Sequence, residues 1–391
     1  METRDWSLVV FTVLTQAAVG AFLTLQVLEY LAARRGPGES GRATDNPRDS
    51  SPASAGAQGG EPEAGNARES GRAMASAAPA GRRTPAPLLV VLAVLSAGLF
   101  AALFHLSTPL QAARAVVNFS SSWLSREIVF GSLFAALLGA LVAQEWRAAS
   151  SEAVGSVQGR RAPTPGTASP PEGRRRIGPE PANPTSQAPA TWLHRLTAAA
   201  GLAFLGCQTA IYLLPAQPAW NSFATPAGFG GTALRLGILG VAAGLVVRSL
   251  TAGVDEPAQA DPIGGGGTSA APLRGLALAG IAALALEFVV VPLHLASLAA
   301  NPLPAAAASV ERLTGDYGGV LVLRLGLLGA AAAALGGVLA ISRRPFAPAR
   351  PTGSSAQRLA FPLTCGAFAL TAASEVCGRF LFYAMQVRVG I

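Results

Sequence analysis

The sequence predicts an all-α integral membrane protein, an eight-transmembrane-helix bundle built from repeated helical hairpins, with long disordered cytoplasmic loops. Of its 391 residues, 51% are hydrophobic and only 13% are charged, whereas charged residues make up about 25% of an ordinary soluble domain. Long apolar stretches recur along the chain, and arginine-rich connections alternate with arginine-poor ones. This pattern excludes a soluble globular domain.

Eight apolar stretches are long enough to cross about 30 Å of hydrocarbon as helices of about 20 residues. The first runs directly into Arg34 without a small-residue cleavage pattern, so we expect a retained helix rather than a cleavable signal peptide. The predicted helices are 6–33, 86–108, 124–146, 192–214, 230–250, 273–299, 318–342 and 359–386.

The arginines of the connections predict the orientation. Twenty arginines follow the odd-numbered helices, and four lie on the opposite side. Because cytoplasmic loops carry the excess of basic residues, we expect both termini outside the cytoplasm, in a multi-pass protein of the bacterial cytoplasmic (inner) membrane. The net charge of +8 is therefore interpreted as a topology signal, and no nucleic-acid partner is expected.

Two long connections are rich in Pro, Gly, Ser and Ala and carry too little apolar surface to fold. A GGGG run at 264–267 follows no predicted strand and precedes no phosphate-binding lysine, so no P-loop is indicated. The predicted organisation is helix one at 1–33, a disordered cytoplasmic loop at 34–85, helices two and three at 86–147, a second disordered loop at 148–190 and helices four to eight at 191–391.

An internal repeat links two of the helices. Gly230–Gly240 and Gly318–Gly329 share the pattern Leu-Arg-Leu-Gly-x-Leu-Gly, and Arg126 lies at a comparable depth in helix three. We therefore predict that helix pairs two and three, four and five, and six and seven are variants of one hairpin unit. The repeated glycines predict close helix contacts, as small residues do in membranes.

Ionisable residues recur near one end of the predicted helices, on the side opposite the arginine-rich loops. A charged side chain in a lipid-spanning helix is costly and by default indicates function. Glu287 is expected deeper, inside helix six. The residues expected near the outer surface are His105, Arg126, Glu127, Arg235, His294, Arg324, Glu375 and Arg379. Their joint occurrence in one leaflet predicts a functional polar pocket.

Two plainer interpretations stay open. An arginine one or two turns below the surface can extend to the lipid phosphates. Glu375 and Arg379 are four residues apart on one helical face, where they can simply neutralise each other.

The predicted pocket suits a hydroquinone, whose head releases two protons while its isoprenoid tail needs access to lipid. Imidazole and carboxylate groups accept such protons, so His105 and Glu127 are the predicted catalytic residues. An arginine such as Arg126 or Arg379 would stabilise negative charge on a carboxylate or a quinone oxygen. The predicted quinol-binding set is His105, Trp123, Arg126, Glu127, Glu375 and Arg379.

Other cofactors are less well supported. Trp123 and Phe119 are expected to flank a quinol ring. A bis-histidine haem is less well supported, because only His105 and His294 are suitably placed to ligate it. The cysteines lack the spacing of a cluster or metal site and are predicted to be buried small hydrophobic residues: Cys207, Cys365 and Cys377. We therefore expect no haem, iron–sulfur cluster or metal in this chain.

Three blocks of sequence resemble the membrane anchor subunit of dimethyl sulfoxide reductase and the wider family of quinol-reactive integral membrane subunits of molybdopterin oxidoreductases. They are WSLVVFTVLTQAAVGAF (Trp6–Phe22), HLSTPLQAARAVVNFSSSWLSREI (His105–Ile128) and EVCGRFLFYAMQVRVGI (Glu375–Ile391). The resemblance implies oxidation of menaquinol and transfer of electrons to an iron–sulfur subunit that feeds a molybdopterin catalytic subunit. In this sequence, His105 and Glu127 match the family's quinol-associated His and Glu.

Two further functions compete with this one. The repeated hairpins and intramembrane charges are also typical of a secondary transporter, although transporters place their sites near the midplane on broken helices. A purely structural anchor without a quinone site is the other alternative.

Overall fold

The computed structural model describes residues 3–34, 85–104, 118–159, 188–251, 270–342 and 355–389, and all regular structure within them is helical. This confirms the predicted all-α class. The elements are α1 (Thr3–Arg34), α2 (Ala86–Leu103), α3 (Trp123–Gly159), α4 (Ala188–Tyr212), α5 (Ala224–Thr251), α6 (Ala270–Ala299), α7 (Pro304–Glu311), a π-helical turn (Arg312–Asp316), α8 (Gly318–Ser342) and α9 (Ser355–Ala384).

Seven helices of the described chain are long and apolar enough to cross a membrane: α1, α2, α3, α5, α6, α8 and α9. The last two correspond to predicted helices seven and eight, because the short α7 lies before them. The predicted fourth span, α4, is 25 residues long but is not among the seven. Its polar residues, which include Arg195 and Gln208, lower its hydropathy. An eighth span therefore stays a prediction.

The predicted loops differ from the structure at several helix ends. Residues 35–84, most of the first predicted loop, lie outside the described residues. α3 continues to Gly159 and α4 begins at Ala188, so both ends of the predicted disordered segment 148–190 are helical. Residues 147–153 include three alanines, one arginine and one glutamate, residue types of high helix propensity.

The helices pack as two groups of four. α1 to α4 share a core around Phe22, Phe134 and Phe204, to which α5 and α6 also contribute residues. α5, α6, α8 and α9 share a second core around Leu284 and Leu328. α4 and α5, which are neighbours in sequence, make little contact, whereas α1 packs along α5. The predicted hairpin of helices four and five is therefore not a packing unit in the structure.

Two glycines allow α1 and α5 to approach closely. A Cβ atom added to Gly20 would overlap the carbonyl group of Ala233, and one added to Gly237 would overlap the backbone of Gly20. Small residues are the usual way in which membrane helices bring their backbones together. This contact joins the two groups of helices.

One end of the bundle is covered by segments 213–223, 300–317 and 385–389, which we call the capped end. The Arg312 side chain donates to the Gln386 carbonyl over 2.9 Å, and the Val389 amide donates to the Ala216 carbonyl over 3.0 Å. The indole Nε1 of Trp220 donates to the Phe382 carbonyl over 2.7 Å. These bonds tie the three segments to one another and to α9.

Candidate functional site

A cluster of buried charges lies between α5, α6 and α9. Arg235, with 1% of its surface exposed, donates through Nε to Glu375 Oε1 at 2.5 Å and through Nη1 to Glu287 Oε2 at 2.8 Å. Each carboxylate is 3% exposed. A buried charge is tolerated when it is paired and hydrogen-bonded, and Arg235 meets this condition with two partners.

Each carboxylate of the cluster has a second donor. Thr232 donates its hydroxyl to Glu375 Oε2 over 2.7 Å, and Arg324 of α8 contacts Glu287 Oε1 through Nη2. Both oxygens of both carboxylates are thus engaged. This arrangement fixes the orientation of each carboxylate.

Arg379 is buried beside this cluster but is bound by neutral groups. Its Nη2 donates to Gln16 Oε1 over 2.6 Å and to Thr232 Oγ1 over 3.4 Å. Its guanidinium carbon lies 3.9 Å from the ring centre of Phe229. The plainer interpretation, a direct pair of Glu375 and Arg379, is not what the structure shows. Glu375 binds Arg235 and Thr232, and Arg379 binds Gln16 and Thr232.

A chain of side-chain amides continues the network towards α3. Gln16 Nε2 donates to Gln208 Oε1 over 3.3 Å, and Gln208 Nε2 donates to Thr15 Oγ1 over 2.9 Å. The Gln208 side chain also forms a hydrogen bond with Glu127. Glu127 is 6% exposed. A continuous polar network thus runs through the bundle, with members on α1, α3, α4, α5, α6, α8 and α9.

A cavity of about 90 Å³ lies next to the charged cluster, near the capped end. His294 lines it, and Nδ1 of this ring lies 3.3 Å from the Ser222 hydroxyl, while Nε2 is buried without a hydrogen-bond partner. Nε of Arg324 is also buried without a partner. The polar wall consists of Thr225, Thr232, Glu287, His294, Arg324, Glu375 and Arg379, and apolar walls include Phe229, Val290, Val291, Leu295, Leu313, Leu321, Leu381, Phe382 and Met385.

The structure brings together three of the six residues predicted to bind quinol. Glu127, Glu375 and Arg379 belong to the buried network, and the last two also line the cavity. His105 lies outside the described residues. The roles of these residues as quinol ligands stay predictions.

Trp123 and Arg126 lie elsewhere, at the start of α3. Arg126 donates to the carbonyls of Phe119 at 2.9 Å and Ser120 at 2.6 Å, and its guanidinium carbon lies 4.2 Å from the Trp123 ring centre. Trp123 is 48% exposed. Consecutive helical residues point about 100° apart, so Arg126 faces the preceding loop while Glu127 faces the bundle.

Several members of the site were not predicted from the sequence. Gln16 and Gln208 are uncharged, so they do not stand out in the sequence as charged residues and histidines do. A side-chain amide inside an apolar stretch nevertheless indicates a buried polar contact, because it must find a hydrogen-bond partner when buried. The cysteines also differ from expectation, since Cys207 is buried but Cys365 and Cys377 are partly exposed.

A comparison with known families bears on the segment that contains Glu127. The family model described as DMSO reductase anchor subunit (DmsC) matches residues 82–149. The match confirms the predicted resemblance to this family. It covers α2, the first part of α3 and the segment with His105, and it does not cover α1 or α4 to α9. No curated protein matches the chain.

Proposed function

We propose that this chain is the membrane anchor subunit of a DMSO reductase-like molybdoenzyme complex and that it oxidises menaquinol. Its electrons would pass to an iron–sulfur subunit and from there to a molybdopterin catalytic subunit, in anaerobic respiration. The observation that carries the proposal is that Glu127 lies within the DmsC match and is buried in a polar network.

In the proposed reaction, each of two bases of the protein accepts one proton from the quinol. Oxidation of one menaquinol releases two electrons and two protons; His105 and Glu127 accept the protons from the two hydroxyl groups, and the electrons leave to the iron–sulfur subunit. Glu127 accepts a hydrogen bond from Gln208, which holds the carboxylate in one orientation. The chain itself supplies proton acceptors and a site within reach of lipid.

The remaining members of the predicted set have supporting roles in this proposal. Trp123 and Arg126 shape the start of α3 at the surface, where a quinol ring would enter. Arg379 acts on Glu127 through Gln16 and Gln208, and Glu375 holds Arg235 and Thr232 beside it. They are positioning residues rather than catalytic ones.

The capped end is proposed to face the outside of the cytoplasmic membrane, as the distribution of arginines in the connections indicates. The iron–sulfur subunit would dock there, because a short distance from the quinol to the first cluster favours electron tunnelling.

The test uses the assembled complex with the variants His105→Gln and Glu127→Gln. We expect quinol-dependent turnover to be lost, while turnover with an artificial donor that reduces the soluble subunits directly is retained. The control is Glu29→Gln on α1, which removes a partly exposed carboxylate at the opposite end. Normal quinol-dependent turnover in both variants would overturn the proposed site.

The two alternatives receive less support from the described residues. The charged cluster between the repeated segments resembles a transporter site, but α5, α6, α8 and α9 are continuous helices there, whereas transporter sites use broken ones. The alternative of a purely structural anchor does not explain why a carboxylate and its amide partners are buried in the bundle.

A further inference from the structure

The charges of the buried cluster and of Arg379 beside the cavity do not balance. Arg235 does not line the cavity itself, but it binds both carboxylates that do. Arg235, Arg324 and Arg379 contribute three positive charges, because arginine is not deprotonated in proteins, and Glu287 and Glu375 contribute two negative charges. Both carboxylates are engaged by Arg235, Arg324 and Thr232. Arg379, 5% exposed, donates only to neutral acceptors, and burying a charge without a directly paired counter-charge is costly.

Glu127 does not supply the missing charge at the cavity. It contacts none of the three arginines directly and is connected to Arg379 only through Gln208 and Gln16. The excess positive charge therefore belongs to the three arginines around Glu287 and Glu375, and two of these arginines, Arg324 and Arg379, line the cavity.

Unused donors face the same space. His294 is 9% exposed and lines the cavity, and its Nε2 has no partner. When the Ser222 hydroxyl donates to Nδ1, Nε2 carries the proton and becomes a donor. Nε of Arg324, another residue of the cavity wall, is also buried without a partner. An acceptor bearing one negative charge would satisfy both the donors and the charge.

The rest of the cavity is apolar and extends towards the surface between α6 and α8. Val291 and Leu295 of α6 and Leu321 of α8 line it and are partly exposed. In a bilayer this surface faces lipid. A ligand with a charged head and an apolar remainder fits such walls better than a fully hydrated ion.

We propose that this cavity binds a monoanionic oxygen headgroup, a carboxylate or a phosphate diester, whose apolar remainder leaves between α6 and α8. The headgroup lies against Arg379, Arg324 and His294. This site goes beyond the proposed function, because Glu127 does not line it and its ligand is not a quinol.

The test measures thermal unfolding and native mass spectra of the full-length protein in a neutral maltoside detergent. The probes are dioleoylphosphatidylglycerol, dioleoylphosphatidylcholine as a zwitterionic control, and sodium acetate and inorganic phosphate at constant ionic strength. We expect phosphatidylglycerol to raise the melting temperature saturably and to remain bound at one equivalent, while phosphatidylcholine does neither.

A matched pair of variants locates the binding. Gly228 of α5 lines the cavity, and a Cβ atom added there meets no atom within 4 Å, so Gly228→Leu fills the cavity without removing a charge. Gly244 of the same helix is equally unobstructed but exposed at the bundle surface. Gly228→Leu should abolish the shift in melting temperature, and Gly244→Leu should retain it.

A second variant keeps the proposal testable if Gly228→Leu does not fold. Arg379→Gln removes the excess charge and should raise the half-saturating concentration of phosphatidylglycerol at least about tenfold. A shift produced by acetate or phosphate but not by phosphatidylglycerol would support the same site with a free anion as its source. No shift with any anion, an equal shift with phosphatidylcholine, or a shift unchanged in the folded cavity variants would overturn the proposal.

Discussion

Arg235 and Arg324 occupy equivalent positions in two copies of one sequence segment, and both form ion pairs with Glu287. Arg235 binds Oε2 at 2.8 Å, while Arg324 contacts Oε1. The carboxylate belongs to α6, the helix between the two copies in the chain. The repeat therefore builds a site in which two cations from α5 and α8 share one anion.

This arrangement predicts that Glu287→Gln is strongly destabilising. The change leaves Arg324 without a carboxylate partner and Arg235 with only Glu375, and breaking a buried ion pair by removing one partner costs about 3–5 kcal/mol. The free energy of unfolding in detergent is the measurement. Glu311→Gln, which changes an exposed carboxylate of α7, is the control and should have little effect.

A double variant separates charge from packing in the same experiment. Glu287→Gln combined with Arg324→Gln removes one charge of each sign and should recover part of the lost stability. If the single variant is as stable as the unchanged protein, the ion pairs of Glu287 are not formed in the membrane protein.

The contact between α1 and α5 predicts opposite outcomes at two equivalent glycines. Gly237→Ala should destabilise the fold by about 1–3 kcal/mol, because its methyl group would overlap the Gly20 backbone. Gly326 holds the same place in the second repeat, and a Cβ atom there meets nothing within 4 Å, so Gly326→Ala should be neutral or slightly stabilising. Equal melting temperatures for the two variants would contradict the close helix contact.

The amide chain predicts an indirect effect on quinol oxidation. Gln208→Leu removes the hydrogen bond to Glu127, and a hydrogen bond to a charged group contributes about 1.5–3 kcal/mol. We expect quinol-dependent turnover to fall about tenfold or more, with an altered dependence on pH because the proton acceptor has lost its partner. Gln26→Leu, at a side-chain amide with no partner for its Nε2, is the control. A pH profile and rate unchanged by Gln208→Leu would show that this bond does not matter.

The orientation of the chain is tested by thiol labelling in intact bacterial cells. In a background with Cys207, Cys365 and Cys377 replaced by serine, Asn221→Cys at the capped end should react with an impermeant maleimide added outside. Ala33→Cys, exposed at the opposite end of α1, should react only after the cells are permeabilised. The reverse pattern would invert the predicted topology.

The sequence alone predicts the membrane helices and the end at which their polar groups lie. Apolar stretches of the right length identify seven of the spans directly. Arg235, Glu287, Arg324, Glu375 and Arg379 were each predicted inside a helix, because a charge in an apolar stretch stands out. Their clustering near one end follows from the alternating direction of successive helices. It can be predicted without knowing how the helices pack.

The partners of these residues were not predictable in the same way. Glu375 and Arg379 share a face of α9, and spacing alone favours a pair between them; the structure instead pairs Glu375 with Arg235 and Arg379 with Gln16. The choice depends on how α1 and α5 pack beside α9, and residues far apart in sequence determine that packing. The cavity at His294 likewise depends on packing between residues that are far apart in sequence.

The long separation in sequence between α5 and α9 has a consequence for biogenesis. Arg235 is synthesised long before Glu375, and Gln16 even longer before Arg379. Until α9 has been synthesised, the nascent protein therefore holds incompletely paired polar groups in lipid. We expect a chain truncated before α9 to keep these groups unpaired and to be less stable than one that contains α9.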